Sequence, residues 1–486
     1  AAKELPERRD NLNIARPTRG AALAVRAKAY LYGASPLANG NTEMADFVDK
    51  TGRKLIPQKY SEEKWAKAAA AARDVIEGNW YKLYTAKFRE EQVEGDYANP
   101  KTIVPPYHPV YSKANFPDGW KDIDPLESYR SVFNGEVNFF NNPEMIFSRV
   151  INNGAELHPD LGDFSDVLDM VRHQMPASLG GWNIHSMTMK QCDAYDMADG
   201  TAFDRKKCLK GFAGPENKKD RPYDNLEDGV WMGYANREPR FYASIGFCEC
   251  FWPATSVTGT EAPNVTNFTA GYYVNGNCAK QAANPEDYNL TGYTLKKYIH
   301  PEDNCTSHTG AKIKPKTFPV FRYAEILLNY VEALNELKGE PEYTEAADNT
   351  TYHVLYNPEE IMYYFNMIRY RAGLPGITLA DASDQVKMRQ LIIRERMIEF
   401  ACEGRRYHDL RRWGLAETEE NKPVQGMDVT KKTTERDQFY TVVNVVHKYA
   451  LRSFDRKMYF YPIPRAVLDK NAKLKQNPGW DGFGDW

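Results

Sequence analysis

The chain has 486 residues, with Lys+Arg 63 against Asp+Glu 66 and a formal net charge of -3. That length buries an extensive core, and balanced charge without a basic block excludes the electrostatic footprint of a nucleic-acid binder. No run approaches the ~18 uninterrupted apolar residues of a membrane-spanning helix, and the opening Ala1-Ala-Lys-Glu-Leu-Pro-Glu-Arg-Arg is not a signal peptide.

In chain order, the first helix is expected from Thr18, as N-cap, through Ala22, Val25 and Ala29 to Gly33, stopping before Pro36. A second begins at Ser61, with Glu62 and Glu63 in its first turn, carries Trp65, Ala68, Ala69, Ala72 and Ile76, and ends at Gly78. Small alanines with one aromatic per helix suit stacked helix pairs of a tetratricopeptide-like kind, although no strict period of about 34 residues is visible. Trp65 and Trp80 are therefore read as core. Between about Tyr84 and Lys316 the helical period fades into Pro, Gly, Asn and aromatics, with strand-like runs at Phe241-Tyr-Ala-Ser-Ile and Tyr272-Tyr-Val. A loop-rich stretch of that length is functional or disordered, and its aromatic content argues against disorder, so the ligand site is expected there. Later helices run from Phe318 to Leu337, closing at Gly339, and from Asn357-Pro358 to Gly373.

The last long helix starts after Asp381 or Ser383 and carries the tract Leu391 to Trp413. Glu395, Glu399 and Glu403 fall at i, i+4 and i+8, one stripe on which like charges repel. Arg394, Arg396, Arg405, Arg406, Arg411 and Arg412 are at hand to answer them. The pattern reads as an ion-pair lattice holding this helix and its exit turn against neighbouring helices.

The same residues invite a catalytic reading. Glu395 and Glu399 could span the roughly 5–9 Å of a glycosidase pair, but surrounding arginines keep carboxylates ionised where a general acid needs a raised pKa. His408, Asp409 and Ser383 lack a nucleophile elbow or oxyanion glycines. His300 and His308 with Glu302 and Asp303 read as solvated loop residues without an ordered ligand pattern. Seven cysteines, including Cys248 and Cys250 on what alternation makes one strand face with Trp252, show no zinc spacing. Asn-x-Ser/Thr triplets begin at Asn264, Asn267, Asn289, Asn304 and Asn349.

Arg19-Gly-Ala-Ala-Leu-Ala-Val-Arg-Ala-Lys-Ala-Tyr-Leu-Tyr, Lys64-Trp-Ala-Lys-Ala, Asn142-Pro-Glu-Met-Ile-Phe, Asp193-Ala-Tyr-Asp-Met-Ala-Asp-Gly and Arg237-Glu-Pro-Arg-Phe-Tyr resemble successive blocks of the SusD/RagB family. So do Phe318-Pro-Val-Phe-Arg-Tyr-Ala-Glu, the Arg/Glu tract, and Tyr461-Pro-Ile-Pro with Gln476-Asn-Pro-Gly-Trp480. These are cell-surface nutrient-binding lipoproteins of Bacteroidetes-type bacteria. The resemblance implies a mainly α fold: a tetratricopeptide-like scaffold with a loop-rich, strand-poor ligand-binding region. Residues 1–135 would form an N-terminal helical-repeat part and 136–486 the SusD/RagB-like C-terminal part, with a loop-rich insertion at about 150–316. Family members carry a long segment, led by a lipid-bearing cysteine, ahead of the block seen here at Arg19, so an outward-facing, lipid-anchored place at the outer membrane is expected.

In that picture the protein binds an oligosaccharide, or a peptide in RagB-like branches, and passes it to a SusC-like TonB-dependent barrel without catalysis, cofactor or metal. A pyranose offers an apolar C–H face to an aromatic plane while its hydroxyls pair with Asn, Asp, Arg or backbone groups. Three groups in the loops suit this: Trp182 with Asn183 and His185, Trp120, and Trp252 with Tyr272, Tyr273 and Asn275. Alanine at Trp182 and Trp120 together is expected to abolish ligand retention with stability intact.

Overall fold

The computed structural model describes residues 2–10, 13, 16–92, 100–150, 166–253, 268–280, 288–303, 305, 313–339, 342–344 and 351–481. Helix Arg19–Ala34 opens on Thr18, whose side chain accepts from the Ala21 N–H, and Ser35 closes it. Helix Glu63–Glu77 starts two residues later than the sequence suggests and buries Trp65 with a run of alanines. Lacking bulk, those alanines let the two helices pack against each other and against helix Tyr323–Asn335, whose 13 residues are all buried. Helices Pro358–Arg371 and Gln385–Glu399 cover the same central helix. Asn357 accepts from the Glu359 and Glu360 amides, with Pro358 in the first turn as expected. Trp65 lies in this core, and Trp80 is half-buried under the Arg19 guanidinium.

Four expectations of local structure change. Phe318–Arg322 is not the start of a helix: Thr317–Arg322 is a strand paired antiparallel with Met145–Val150, and the helix begins at Tyr323. Pro319 and Val320 resist a helical start, and alternate burial replaces helical burial there. Phe241 lies in helix Pro239–Ser244, which a proline opens, and the strand is only Ile245–Phe247. The Cys248–Trp252 face is interrupted at Glu249, whose φ of 65° divides two strands that pair with different partners. Tyr272-Tyr-Val is not a strand; the pairing segment is Phe268–Ala270. All sheets among the described residues are two-stranded, so helices and loops dominate, as the sequence suggested.

The interior divides into two main cores. One is helical, built on Ala24, Leu31, Trp65, Leu327, Phe365 and Ile392. The other lies under the loops and is rich in aromatic rings: Tyr129, Phe133, Trp231, Tyr234, Phe241, Trp252 and Tyr293. Met145 faces the second core and Ile146 the first; Ile398 and Phe400 divide in the same way. Glu144, Arg322 and Glu399 therefore stand at the seam between them.

Candidate functional site

The seam is the expected lattice. Glu399 Oε1 accepts from Arg322 at 2.8 Å and from Arg371, and Oε2 accepts from Arg240 at 2.9 Å. Glu403 lies beyond the helix end yet joins, accepting from Lys297 at 2.6 Å and from Arg322 Nε at 2.8 Å. Glu144, which the stripe did not predict, bridges Arg322 at 2.7 Å and Arg371 at 3.0 Å. Arg240, Arg322 and Arg371 come from other segments than the tract, whose own Arg396 and Arg412 bind Asp409 instead. Burial alone would raise the Glu399 carboxyl, but Arg371, Arg322 and Arg240 hold it well below the usual carboxylate range. A fully buried, ionised Glu399 is an ion-pair hub and not a general acid.

The loop residues singled out above have unequal surroundings. Trp120 is 3% exposed and packs on Tyr111 and Tyr370, with ring centroids 5.6 and 6.4 Å away. Trp252 is 1% exposed, and its ring lies on Gly246, where a Cβ would come within 2.8 Å of it. Tyr272 and Tyr273 are buried; the Tyr272 amide donates to Cys248 Sγ, and the Tyr273 hydroxyl meets Tyr440 and Arg436. Asn275 is exposed, but both ends of its amide bind Thr433.

Trp182 is the half-exposed tryptophan of the three. Its loop leaves helix Asp166–Gln174 through the turn Ala177–Leu179 and Gly180, at φ 77°, and a Cβ on Gly181 would strike the Met175 carbonyl. The Trp182 ring stands 4.8 Å from His173 and 5.9 Å from the Arg172 guanidinium. Beside it His185 is exposed, whereas Asn183 is fully buried. Ser178 donates to the Asn277 carbonyl at 2.7 Å, which brings the Trp182 loop against the 271–278 turn. Trp120 stays with the helical side, on Tyr370 of helix Pro358–Arg371.

Two clefts open on the loop-built face. The larger, about 760 Å³, is walled by the 100–103 segment, the turn Pro215–Asp220 with Arg221, strands Ile245–Phe247 and Cys250–Trp252, and Lys296. Phe251 and Tyr242 give it half-buried rings. A small cavity shares Arg130, Pro253 and Lys296 with it and is lined also by Trp252, Met175 and Leu179. The second cleft, about 420 Å³, lies between Tyr272–Lys280, Tyr288–Leu290 and the hairpin Gln425–Met427 with Val442–Asn444. His447 lies 6.2 Å from the Tyr288 ring and 5.1 Å from Tyr449, which is 72% exposed.

Sequence reasoning missed Lys296 and the Tyr288, His447 and Tyr449 rings. The one usable signal was the pair Lys296-Lys297 just after strand Tyr293–Leu295, where neighbours turn to opposite sides. Lys297 enters the seam and Lys296 the cleft.

Among the described residues no group of three His, Cys, Asp or Glu is placed to hold a metal, and the seven cysteines are unpaired. Asn289 is buried and bonded to the Tyr293 carbonyl; the triplets at Asn264, Asn267, Asn304 and Asn349, and His308, lie outside the described residues. No described helix is long and apolar enough to cross a membrane.

Helical repeats, a charged seam and a loop-built face with clefts define a helical-repeat scaffold. The profile of the SusD family matches residues 143–480, and the chain belongs to that family. Among solved structures it is similar to BT4246, with 22% identity over 98% of this chain and 74% of that one, at a TM-score of 0.70. It is also similar to a SusD-like protein, BF3747, from Bacteroides fragilis (22% identity, 99% and 68% covered, TM-score 0.62). A SusD-like carbohydrate binding protein, BF0978, from the same organism matches at 20% identity, 98% and 68% covered, TM-score 0.57. These likenesses show the shared fold. No curated protein matches the sequence.

Proposed function

We propose that this chain is a non-catalytic surface protein that captures an oligosaccharide on its loop-built face and hands it to a SusC-like TonB-dependent barrel, held at the outer membrane by a lipid anchor. The cleft of about 760 Å³ carries the reading. Its size suits a ligand site of about 300–1,000 Å³, and it sets ring faces beside charged and amide groups, the pairing a sugar's two surfaces require. Half-exposed Trp182 beside exposed His185 does not line this cleft and would be a separate platform for the same ligand. Family membership supports the transporter partnership, and the likeness to BF0978, a carbohydrate binding protein, supports carbohydrate as cargo. The fully paired Glu399 supports binding without cleavage.

Calorimetric titration of the whole chain against neutral and acidic oligosaccharides and a mixed peptide pool, with product analysis of each mixture, tests this. Saturable glycan binding with intact glycan recovered is the expected result. Cleavage would overturn the non-catalytic reading, and binding of peptides alone would replace sugar as the cargo.

A further inference from the structure

Resting on the reading of the larger cleft as a glycan site, we infer that it takes an acidic oligosaccharide, with the Lys296 ammonium receiving a carboxylate or sulfate of the ligand. Lys296 Nζ donates to the Phe251 carbonyl at 3.1 Å and to Cys250 Sγ at 3.4 Å, and it stands 5.1 Å from the Trp252 ring. A thiol is a weak acceptor, so an ammonium with three donors is left under-satisfied by these neighbours. No carboxylate among the described residues pairs with it. Elsewhere this protein answers its buried lysines: Lys297 has Glu403 at 2.6 Å and Lys316 has Asp303 at 2.5 Å. Lys296 differs because it is half-buried in the wall of the cleft.

The rest of the cleft has the same bias. Arg130 is held by Glu127 and Glu136, Arg221 by Asp224, and Glu249 by Arg436. Asp228 lies 3.9 Å from Arg221. Among the described lining residues, Lys101, Lys218 and Lys296 then remain without a carboxylate partner, against Glu227 without a cation. A partly desolvated ammonium over an indole face is a stronger anion partner than a lysine in open water, because less water competes for it. The same contacts also pin strand Cys250–Trp252, so the test must separate holding the strand from holding the ligand.

The probes are a galacturonate hexamer, the same hexamer carboxyl-reduced to neutral galactose, and a sulfated chondroitin hexasaccharide. Each is titrated into the whole wild-type chain, Lys296→Met and Lys296→Arg, at low and at physiological salt. The expected result is an acidic hexamer bound about tenfold or more tighter than the neutral one, as one charge-assisted hydrogen bond supplies. Lys296→Met should erase that preference by weakening the acidic hexamer far more than the neutral one, and Lys296→Arg should keep most of it. Preference for the galacturonate hexamer assigns a carboxylate, whereas preference for the chondroitin hexasaccharide, which adds sulfates to its glucuronate carboxylates, points to the sulfate. Equal binding of acidic and neutral hexamers by the wild type overturns the inference while the glycan reading stands. Loss of neutral and acidic binding together in Lys296→Met, with Lys296→Arg no better, assigns the lysine to the strand and also overturns it. Silence of the wild type toward all three overturns the inference together with the glycan reading beneath it.

Discussion

The two cores of this protein are built by different means. In the helical core, alanines and leucines with no polar atoms fill a periodic contact, and helices Arg19–Ala34, Glu63–Glu77, Pro358–Arg371 and Gln385–Glu399 all lean on Tyr323–Asn335. In the core under the loops, tyrosines and tryptophans fill a non-periodic space, and the Tyr234 and Tyr272 hydroxyls and the Trp252 indole N–H are buried without a partner. Unpartnered buried polar atoms occur on both sides, with Asn329 Nδ2 and Asn335 Oδ1 on the central helix, so what sets the second core apart is the use of large rings that span the distance between loops. Between them the lattice converts what would be an ordinary apolar boundary into a charged one.

The largest effect that would break this picture is at the hub. Glu399→Ala leaves Arg240, Arg322 and Arg371 short of a counterion inside the protein, and should cost about 3–5 kcal/mol by urea unfolding. A cost under about 1 kcal/mol would mean the seam is solvated. Next, Trp120→Ala should cost about 3 kcal/mol by the same measurement, since the buried ring leaves a cavity. The double alanine at Trp120 and Trp182 therefore cannot be expected to leave stability intact.

Acid should separate the Asp409 ion pairs of the C-terminal tract from the carboxyl at Glu127. Burial would raise Asp409, but Arg396 and Arg412 bring it down to about 2, so its contribution is present above about pH 4 and lost as pH falls toward 2. Glu127 has the opposite sign: burial, only partly offset by Arg130, lifts it to about 7, so its contribution fades as pH rises from about 4.5 through 7. Unfolding midpoints measured across that range should peak between the two windows, and a monotonic rise to alkaline pH would contradict the Glu127 assignment. The smallest stability effect is expected at half-exposed Trp182: its alanine variant should lose about 1 kcal/mol or less while glycan retention falls sharply.

What the sequence made legible was local chemistry. Thr18 as a cap and Asn357-Pro358 as a helix start need only neighbours in the chain, and each holds; the carboxylate stripe holds only in part, since the helix ends at Glu399 and the guanidiniums that answer it come from distant segments. Phe318–Arg322 resists such reading because a short apolar run preceding a helix has no period of its own, and its strand is defined by Met145–Val150, far away in sequence. Loop aromatics were the least legible for the same reason. Nothing local distinguishes Trp252, closed over Gly246, from Trp182, left half open by Gly180 and Gly181, until the rest of the chain has folded around them. Adjacent Lys296 and Lys297 make the point most sharply, since one has a carboxylate partner and the other has none among the described residues.

The lattice also orders events in time. Glu399 meets Arg322 across 77 residues and Arg240 across 159, while Arg371 reaches back 227 residues to Glu144. As the chain leaves the ribosome, Arg240, Arg322 and Arg371 all appear before the hub that neutralises them. Until that hub arrives only Glu144 and Glu238, among the described residues, answer these guanidiniums, so the charged seam between the two cores is completed last, when the C-terminal tract joins.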